Sequence, residues 1–530
     1  MIDAVIIADT GNDTFSASSR MRLQLDGKTA LIQNVYNFLK NNGSIVSPVD
    51  GENEKNWHSA PKLNGIRLFS YLSTSGLTIE LIDSYYRERD HFIKILDQNP
   101  KTVIISTTFI SNKKILKDLV TDIRSVAPDI FIIAGGPFIL SSYLLLQRSG
   151  EKGYDVLSPK DDFLFLSKTN NPDVDLYIID KNGEQILLEA LGRIAKGEPV
   201  IHLPNTAHWD GRKYVFTDRR DLPLPDIGVA WKSIPQKFFD LSVMNVQAST
   251  GCPYNCEFCN FIKVKKYNFV KPLDKLVNEL KEISDRGIKY VRFVDDNFRL
   301  GRTDLNAVCR RFVDEGLDLK WMSFIRASTL ANVDFDLLRE SGCVETQIGV
   351  ETADEKVLQN MNKKADRDMY FDVITNLLNT GINCSACFIV GFPGETTETF
   401  NKTVDFIENI PQDTQEGIFF WSIYPFLVLP LSPCYEPDRK VKYKLKGYMD
   451  KWEHYTMNST EAYQHIKKAF FKIRNSSPIY SGDNFDMLMQ LPTNRRKEFM
   501  KVRHNLSKKF LKEPYDKSIV IESFQRILKL

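Results

Sequence analysis

Val246-Gln-Ala-Ser-Thr-Gly-Cys252-Pro-Tyr-Asn-Cys256-Glu-Phe-Cys259-Asn260 is the stretch on which the reading of this chain turns. Val246 to Ser249 reads as a strand, and the loop after it supplies three thiols at the spacing Cys-x3-Cys-x2-Cys. Such a loop can wrap three irons of a cubane from one strand end, because thiolates are the usual ligands of iron-sulfur clusters. No fourth Cys stands nearby to close the cage, which leaves one iron open to a chelating ligand. A structural zinc site instead wants four closed Cys or His ligands, and no His follows within forty residues.

The rest of the composition narrows the classes. Eight cysteines in 530 residues are too few for a disulfide scaffold, and three of them fall within eight positions, which in a reducing compartment points to metal or redox chemistry. Seventy basic against 68 acidic residues leave a formal charge of +2. That balance gives no global reason to expect nucleic acid or an anionic membrane as partner. The length and the 42% hydrophobic content allow several cores, about three domains by the usual size. Met1 to Asp9 lacks the pattern of an export signal. The longest apolar tract, Gly417 to Pro433, is broken by Pro425 and Pro430 and falls short of a membrane span. The expectation is a soluble cytoplasmic protein.

Outward from the cysteine loop, Pro272 opens a helix bearing Leu273, Leu276, Val277, Leu280 and Ile283, which Gly287 ends. Strands are expected at Tyr290–Val294, Lys320–Ile325, Glu345–Val350, Asn383–Val390 and Gly417–Ser422, separated by helical segments. Six strand-helix units make a partial parallel barrel, with its chemistry at the C-terminal strand ends. Upstream, the short Ile- and Val-rich runs Ala4–Ile7, Leu77–Ile82, Val103–Ile105, Ile130–Ala134 and Leu176–Ile179 read as strands covered on both faces. Asn112 caps a helix that Pro128 stops. The predicted fold class is α/β: a doubly wound parallel sheet over 1–197, a proline-rich hairpin and linker over 198–244, a partial (β/α)6 barrel over 245–435, and a mostly helical region over 436–530.

The cysteine loop resembles the signature of the radical S-adenosylmethionine (SAM) superfamily, and later segments match it in order. The resemblance implies that Cys252, Cys256 and Cys259 hold a 4Fe-4S cluster and that SAM chelates the open iron. It implies that Phe258 lies near the adenine. Asp295 and Asp296, in Val294-Asp-Asp-Asn-Phe298, stand where the family binds the methionine amino group, a carboxylate facing an ammonium; an acidic capping turn is the structural alternative for one of them. Arg326 could pair with the cofactor carboxylate. Glu351, in Gly349-Val-Glu-Thr352, falls at the strand end that contacts ribose. Ile389, in Phe388-Ile-Val-Gly-Phe-Pro-Gly-Glu395, falls in the motif that packs on adenine. Cys384 and Cys387 read as buried thiols, since positions three apart on a strand face opposite ways.

The first domain resembles the cobalamin-binding domain of one branch of that superfamily. Thr107 and Thr108, Gly135 and Gly136, and Gly183 and Glu184 lie at the strand ends where the resemblance implies cobalamin. No Asp-x-His-x-x-Gly marks a lower axial imidazole. Asp221 to Asp226 and Trp452 to Met457 also look like that branch, the latter as a cap on the substrate opening. The basic run from Arg495 to Lys512 reads as a solvated helical face.

The resemblance therefore implies a cobalamin-dependent methyltransferase acting on an unactivated carbon or phosphorus of a peptide or natural-product substrate, fed by flavodoxin or ferredoxin. No residue is singled out as catalytic. Rearrangement, oxidation or cyclisation with the same cofactors is the rival within enzymes, and a non-catalytic SAM-binding sensor the rival outside them.

Overall fold

The computed structural model describes residues 2–11, 21–43, 59–167, 169, 171–223, 228–261, 269–301, 303–412 and 416–528. Residues 224–226 of the proline-rich segment lie outside the described residues.

Two parallel sheets organise the chain. The first contains β1 (Ala4–Ile7), β2 (Ile79–Ile82), β3 (Thr102–Ser106), β4 (Phe131–Gly135), β5 (Leu176–Ile178), β6 (Thr206–Trp209) and β7 (Tyr214–Phe216), ordered β2-β1-β3-β4-β5-β6-β7. The strands β2, β1, β3, β4 and β5 are parallel, and the hairpin β6-β7 adds to the edge antiparallel. Alternate residues of the buried runs face opposite sides. Val5, Ile7, Val103 and Ile105 pack on the helix Lys113–Val126, while Ala4, Ile6 and Ile104 pack on Leu63–Thr74. Asn112 caps the first of these helices as expected, its side chain accepting from Ile115 N at 3.0 Å.

The second sheet is β8 (Val243–Val246), β9 (Tyr290–Phe293), β10 (Lys320–Phe324), β11 (Cys343–Glu351), β12 (Asn383–Val390), β13 (Phe419–Pro425) and β14 (Ser477–Pro478), all parallel and in chain order. Its first strand ends at Val246, earlier than the Val246–Ser249 reading. The reason is that Asp295 accepts from the backbone N–H groups of Ala248 and Ser249 and so draws the chain out of the sheet. Ser249–Thr250 then pairs antiparallel with Phe269–Val270.

One apolar core runs from the Ala4, Ile6 and Ile104 face through Trp231 and Phe239 into the helices outside the barrel, joining the two sheets. Arg148 clamps Glu436 with bonds of 3.0 and 2.6 Å, and Lys440 pairs with Asp155 at 3.1 Å, so the helix Pro137–Arg148 is fixed to the segment after the barrel.

A third core contains Leu23, Leu25, Ile32, Val35 and Leu39 together with Phe499, Leu506, Val520 and Phe524. Residues 21–41 thus pack with the C-terminal helices Thr493–Phe510 and Lys517–Leu528, not with the first sheet. The basic run is correspondingly no simple solvated face. Arg503 is fully buried, makes two 2.8 Å bonds to Asp483 and lies 3.6 Å from the centre of the Tyr480 ring. A long amphipathic helix reads as basic on its outside even when one of its charges points inward to a carboxylate that is distant in sequence. Among the described residues no helix is long and apolar enough to cross a membrane.

Candidate functional site

The loop after β8 is held from several directions. Gly251 N donates to Asp296 Oδ2 at 2.9 Å, Glu257 N to Met361 O at 3.0 Å, and Asn362 Nδ2 to Asn255 O at 2.7 Å. On the far side Cys434 N donates to Glu257 O at 2.9 Å, and Arg439 pairs with Glu257 at 3.2 Å. Within the loop, Cys259 N donates to Cys256 O at 3.1 Å, a tight turn between the two cysteines. Cys256 is buried and Cys252 and Cys259 are half-buried. Burial raises the Cys252 thiol and pushes Cys259 up to about 11, so any metal bound there would displace protons. Among the described residues no three His, Cys, Asp or Glu converge on one point as a single ion requires. A cubane asks instead for one thiolate per iron, which three thiols around a loop can supply.

Arg326 leaves the end of β10 and comes to this loop. Its guanidinium sits 3.7 Å from the centre of the Tyr254 ring, with Nη1 3.5 Å from Cys256 Sγ. The two adjacent aspartates divide their tasks. Asp295 is buried; Ala248 N reaches its Oδ2 at 3.1 Å, and Ser249 N and Oγ its Oδ1, the hydroxyl at 2.6 Å. Desolvation raises this carboxyl to about 6 despite those donors. Asp296 borders the cysteine loop itself through Gly251.

Glu351 ends β11 in the left-handed region, φ 68°, at a register shift against β12. Lys363 Nζ donates to its Oε1 at 2.9 Å, and both side chains are almost wholly buried. Lys363 was not legible as a site residue: it arrives from the turn after Glu355–Asn360, and nothing in the local sequence marks its direction. Cys387 lies beside Gln347 Nε2 at 3.2 Å, whereas Cys384 is fully buried.

Phe258 and Ile389 are each partly buried against the large apolar core. Phe258 is edge-on to Phe392, with centroids 6.5 Å apart. After Ile389 the chain turns at Gly391, φ 92°, whose N–H donates to Glu395 Oε2 at 2.5 Å. Glu395 is fully buried, its Oε1 has no partner, and desolvation raises it to about 8.

At the C-terminal ends of the first sheet, Thr107 is buried and binds Gly135 O through its N–H at 2.8 Å and its hydroxyl at 2.9 Å, while Thr108 is exposed. Gly136 has φ 116°, and a Cβ there would lie 3.0 Å from Thr107 Oγ1. Gly136 therefore admits the β3 loop, whereas a Cβ at Gly135 would face Ile178 of β5 at 3.5 Å. A Cβ at Gly183 would lie 2.7 Å from Ile178 Cγ2, so that glycine serves packing. Glu184 pairs with Arg67 at 3.3 Å, and Arg67 also reaches Gln247 in the barrel at 3.4 Å. Three buried polar atoms along this edge, Asn64 Oδ1, Ser84 Oγ and Glu184 Oε2, lack a partner.

Residues 246–407 match the radical SAM superfamily. They are a radical SAM domain. That superfamily works with a 4Fe-4S cluster and SAM, and the three thiols of this domain stand on the loop after its first strand. An uncharacterized methyltransferase of Pyrococcus horikoshii is 24% identical over 303 residues, 55% of this chain and 60% of that protein. The hopanoid C-2 methylase of Rhodopseudomonas palustris is 24% identical over 353 residues, 64% of this chain and 63% of that one. The chain thus spans less than two thirds of either relative. Among solved structures, the cobalamin-dependent SAM radical enzyme OxsB with aqua-cobalamin and SAM bound superposes with a TM-score of 0.59 at 15% identity, over 99% of this chain and 75% of that one. The radical SAM methyltransferase TsrM from Kitasatospora setae, with cobalamin and a 4Fe-4S cluster bound, gives 0.53 at 14% identity, over 82% and 74%. These likenesses establish that the sheet before the radical SAM domain and the barrel are arranged as in those enzymes.

Proposed function

We propose that this chain is a cobalamin-dependent radical SAM methyltransferase acting on an unactivated carbon or phosphorus of a peptide or other natural-product substrate, with flavodoxin or ferredoxin as electron donor. The observation that carries the reading is the Cys252, Cys256 and Cys259 loop flanked by Arg326 and Asp296. The unpartnered Asn64, Ser84 and Glu184 atoms at the ends of the first sheet support a second ligand there. Two methyltransferases among the relatives point the same way.

The residues fit the two cofactors unevenly. Cys252, Cys256 and Cys259 would hold three irons. Asp296 would accept from the methionine ammonium, and Arg326 would donate to its carboxylate. Asp295, with both oxygens already accepting from residues 248–249, holds the loop in place instead. Glu351 and Lys363 would meet the ribose side, and Phe258 and Ile389 the adenine. Hydroxyls and amides, with no imidazole, would meet cobalamin near Thr108 and Gly135. Bound there, SAM would supply radical chemistry on one-electron reduction, and cobalamin would supply a methyl group for transfer. The protein's part is to fix the reacting groups and exclude water.

The test uses the full chain, reconstituted anaerobically with iron, sulfide and cobalamin, supplied with a low-potential chemical reductant and given SAM labelled CD3 on sulfur. Deuterated methylcobalamin with 5'-deoxyadenosine supports the reading. 5'-Deoxyadenosine from a protein that retains no cobalt leaves a radical SAM enzyme and removes the methylcobalamin route.

A further inference from the structure

The segment after the barrel closes on the turn Gly391–Glu395. Trp452 lies over Gly391, where a Cβ would come 2.8 Å from Cζ2 of the indole. Its Nε1 donates to Phe426 O at 2.7 Å, and the ring stacks on His454 with centroids 5.0 Å apart and planes 4° from parallel. His454 Nε2 is 2.8 Å from Gly391 O. Thr456 N, which can only donate, is 3.3 Å from His454 Nδ1. That contact fixes the tautomer: Nδ1 accepts, so Nε2 carries the proton and donates to Gly391 O. Thr456 Oγ1, 3.2 Å from the same Nδ1, also accepts from Gly394 N at 3.1 Å. A ring of hydrogen bonds thus runs from Gly391 O through the imidazole and Thr456 to Gly394 N. Glu395 holds Gly391 N from the opposite side. The segment is itself anchored by a capping box, Asn458 with Glu461, at the start of the helix Ser459–Lys472.

We propose that Trp452 and His454 are positioning residues for the Gly391–Glu395 turn, so that a segment outside the barrel sets the affinity of this protein for SAM. This rests on the reading of that turn as the adenine contact given under Proposed function. Both backbone polar groups of Gly391 are held by side chains from separate elements, which fixes its left-handed conformation beside Ile389.

His454→Phe keeps the stack on Trp452 and removes both imidazole nitrogens, whereas His454→Gln restores a donor toward Gly391 O. SAM affinity of the cluster-loaded full chain is measured by equilibrium dialysis, with hydrogen exchange read on peptides spanning 389–395. The expected result for His454→Phe is a Kd raised about tenfold, the effect of one buried hydrogen bond, and faster exchange in 389–395 at unchanged iron content. His454→Gln stays close to wild type. A His454→Phe protein with wild-type Kd and exchange overturns the proposal. Should it lose iron, Thr456→Val, which removes only the bridging hydroxyl, takes its place; a weaker Kd supports the proposal and an unchanged one overturns it. The adenine reading fails separately, if wild-type protein binds SAM without protecting 389–395.

Discussion

Arg326 approaches Cys256 with Nη1 3.5 Å from Sγ while its guanidinium is stacked on Tyr254 at 3.7 Å. In the proposed cluster site, a donor and a positive charge beside the Cys256 sulfur would stabilise the reduced state, since net charge and hydrogen bonds to sulfur tune such potentials. Arg326→Gln is expected to make the cluster potential more negative by on the order of 40 mV, or about 1 kcal/mol for one electron. Anaerobic potentiometry of wild type and variant reads the difference; equal potentials would show that the contact is not kept in the loaded protein.

Glu395 gives a pH dependence with a defined sign. Burial raises it to about 8, against ~4.3 for an unfolded glutamate. The stability contributed by the protonated side chain is therefore fully present below about 4.3 and is lost as pH rises to about 8. Glu395→Gln keeps an acceptor for Gly391 N but cannot ionise. Its stability relative to wild type should rise by on the order of a few kcal/mol between pH 5 and pH 9. Denaturation curves that stay parallel over that range would contradict this.

Arg503 and Asp483 form a buried pair that joins the helix Thr493–Phe510 to residues 30–32, because Asp483 Oδ1 also accepts from Ile32 N at 2.9 Å and Arg503 donates to Ala30 O at 3.2 Å. Arg503→Met leaves the carboxylate without its counter-ion and should cost about 3–5 kcal/mol. Asp483→Asn with Arg503→Met should recover much of it. Urea denaturation of the single and double variants measures the coupling.

Replacing Cys252, Cys256 and Cys259 by Ala should abolish iron binding and leave cobalt binding unchanged, because the unpartnered atoms of Asn64, Ser84 and Glu184 belong to the first sheet. Metal analysis of protein grown with cobalamin decides it. Loss of both metals from a folded variant would show that cobalamin is retained only when the cysteine loop is loaded.

Much of this was readable from the sequence where the signal is local. The Asn112 cap, the Ile- and Val-rich strands and the spacing of the three cysteines each report on a few neighbouring residues, and each appears in the structure close to where it was expected. The strand before the loop was misplaced because its end is set by Asp295, some 46 residues on. Lys363 was invisible as the partner of Glu351 for a related reason: a lysine after a short helix looks like any solvated one until the fold buries it. Glycines are legible in a different way. A Cβ at Gly136 would press on Thr107 and one at Gly183 on Ile178, so both mark close packing at those strand ends. A glycine in sequence says that something comes close, and only the fold says what.

The packing of residues 21–41 against the C-terminal helices has a temporal side. Ile32 meets Asp483 across 451 positions. A ribosome adding ~5–20 residues per second needs roughly 20–90 s to make that span. Through that interval the apolar face of Ile32, Val35, Tyr36 and Leu39 has been synthesised and its docking surface has not, so this helix waits for partners made long after it.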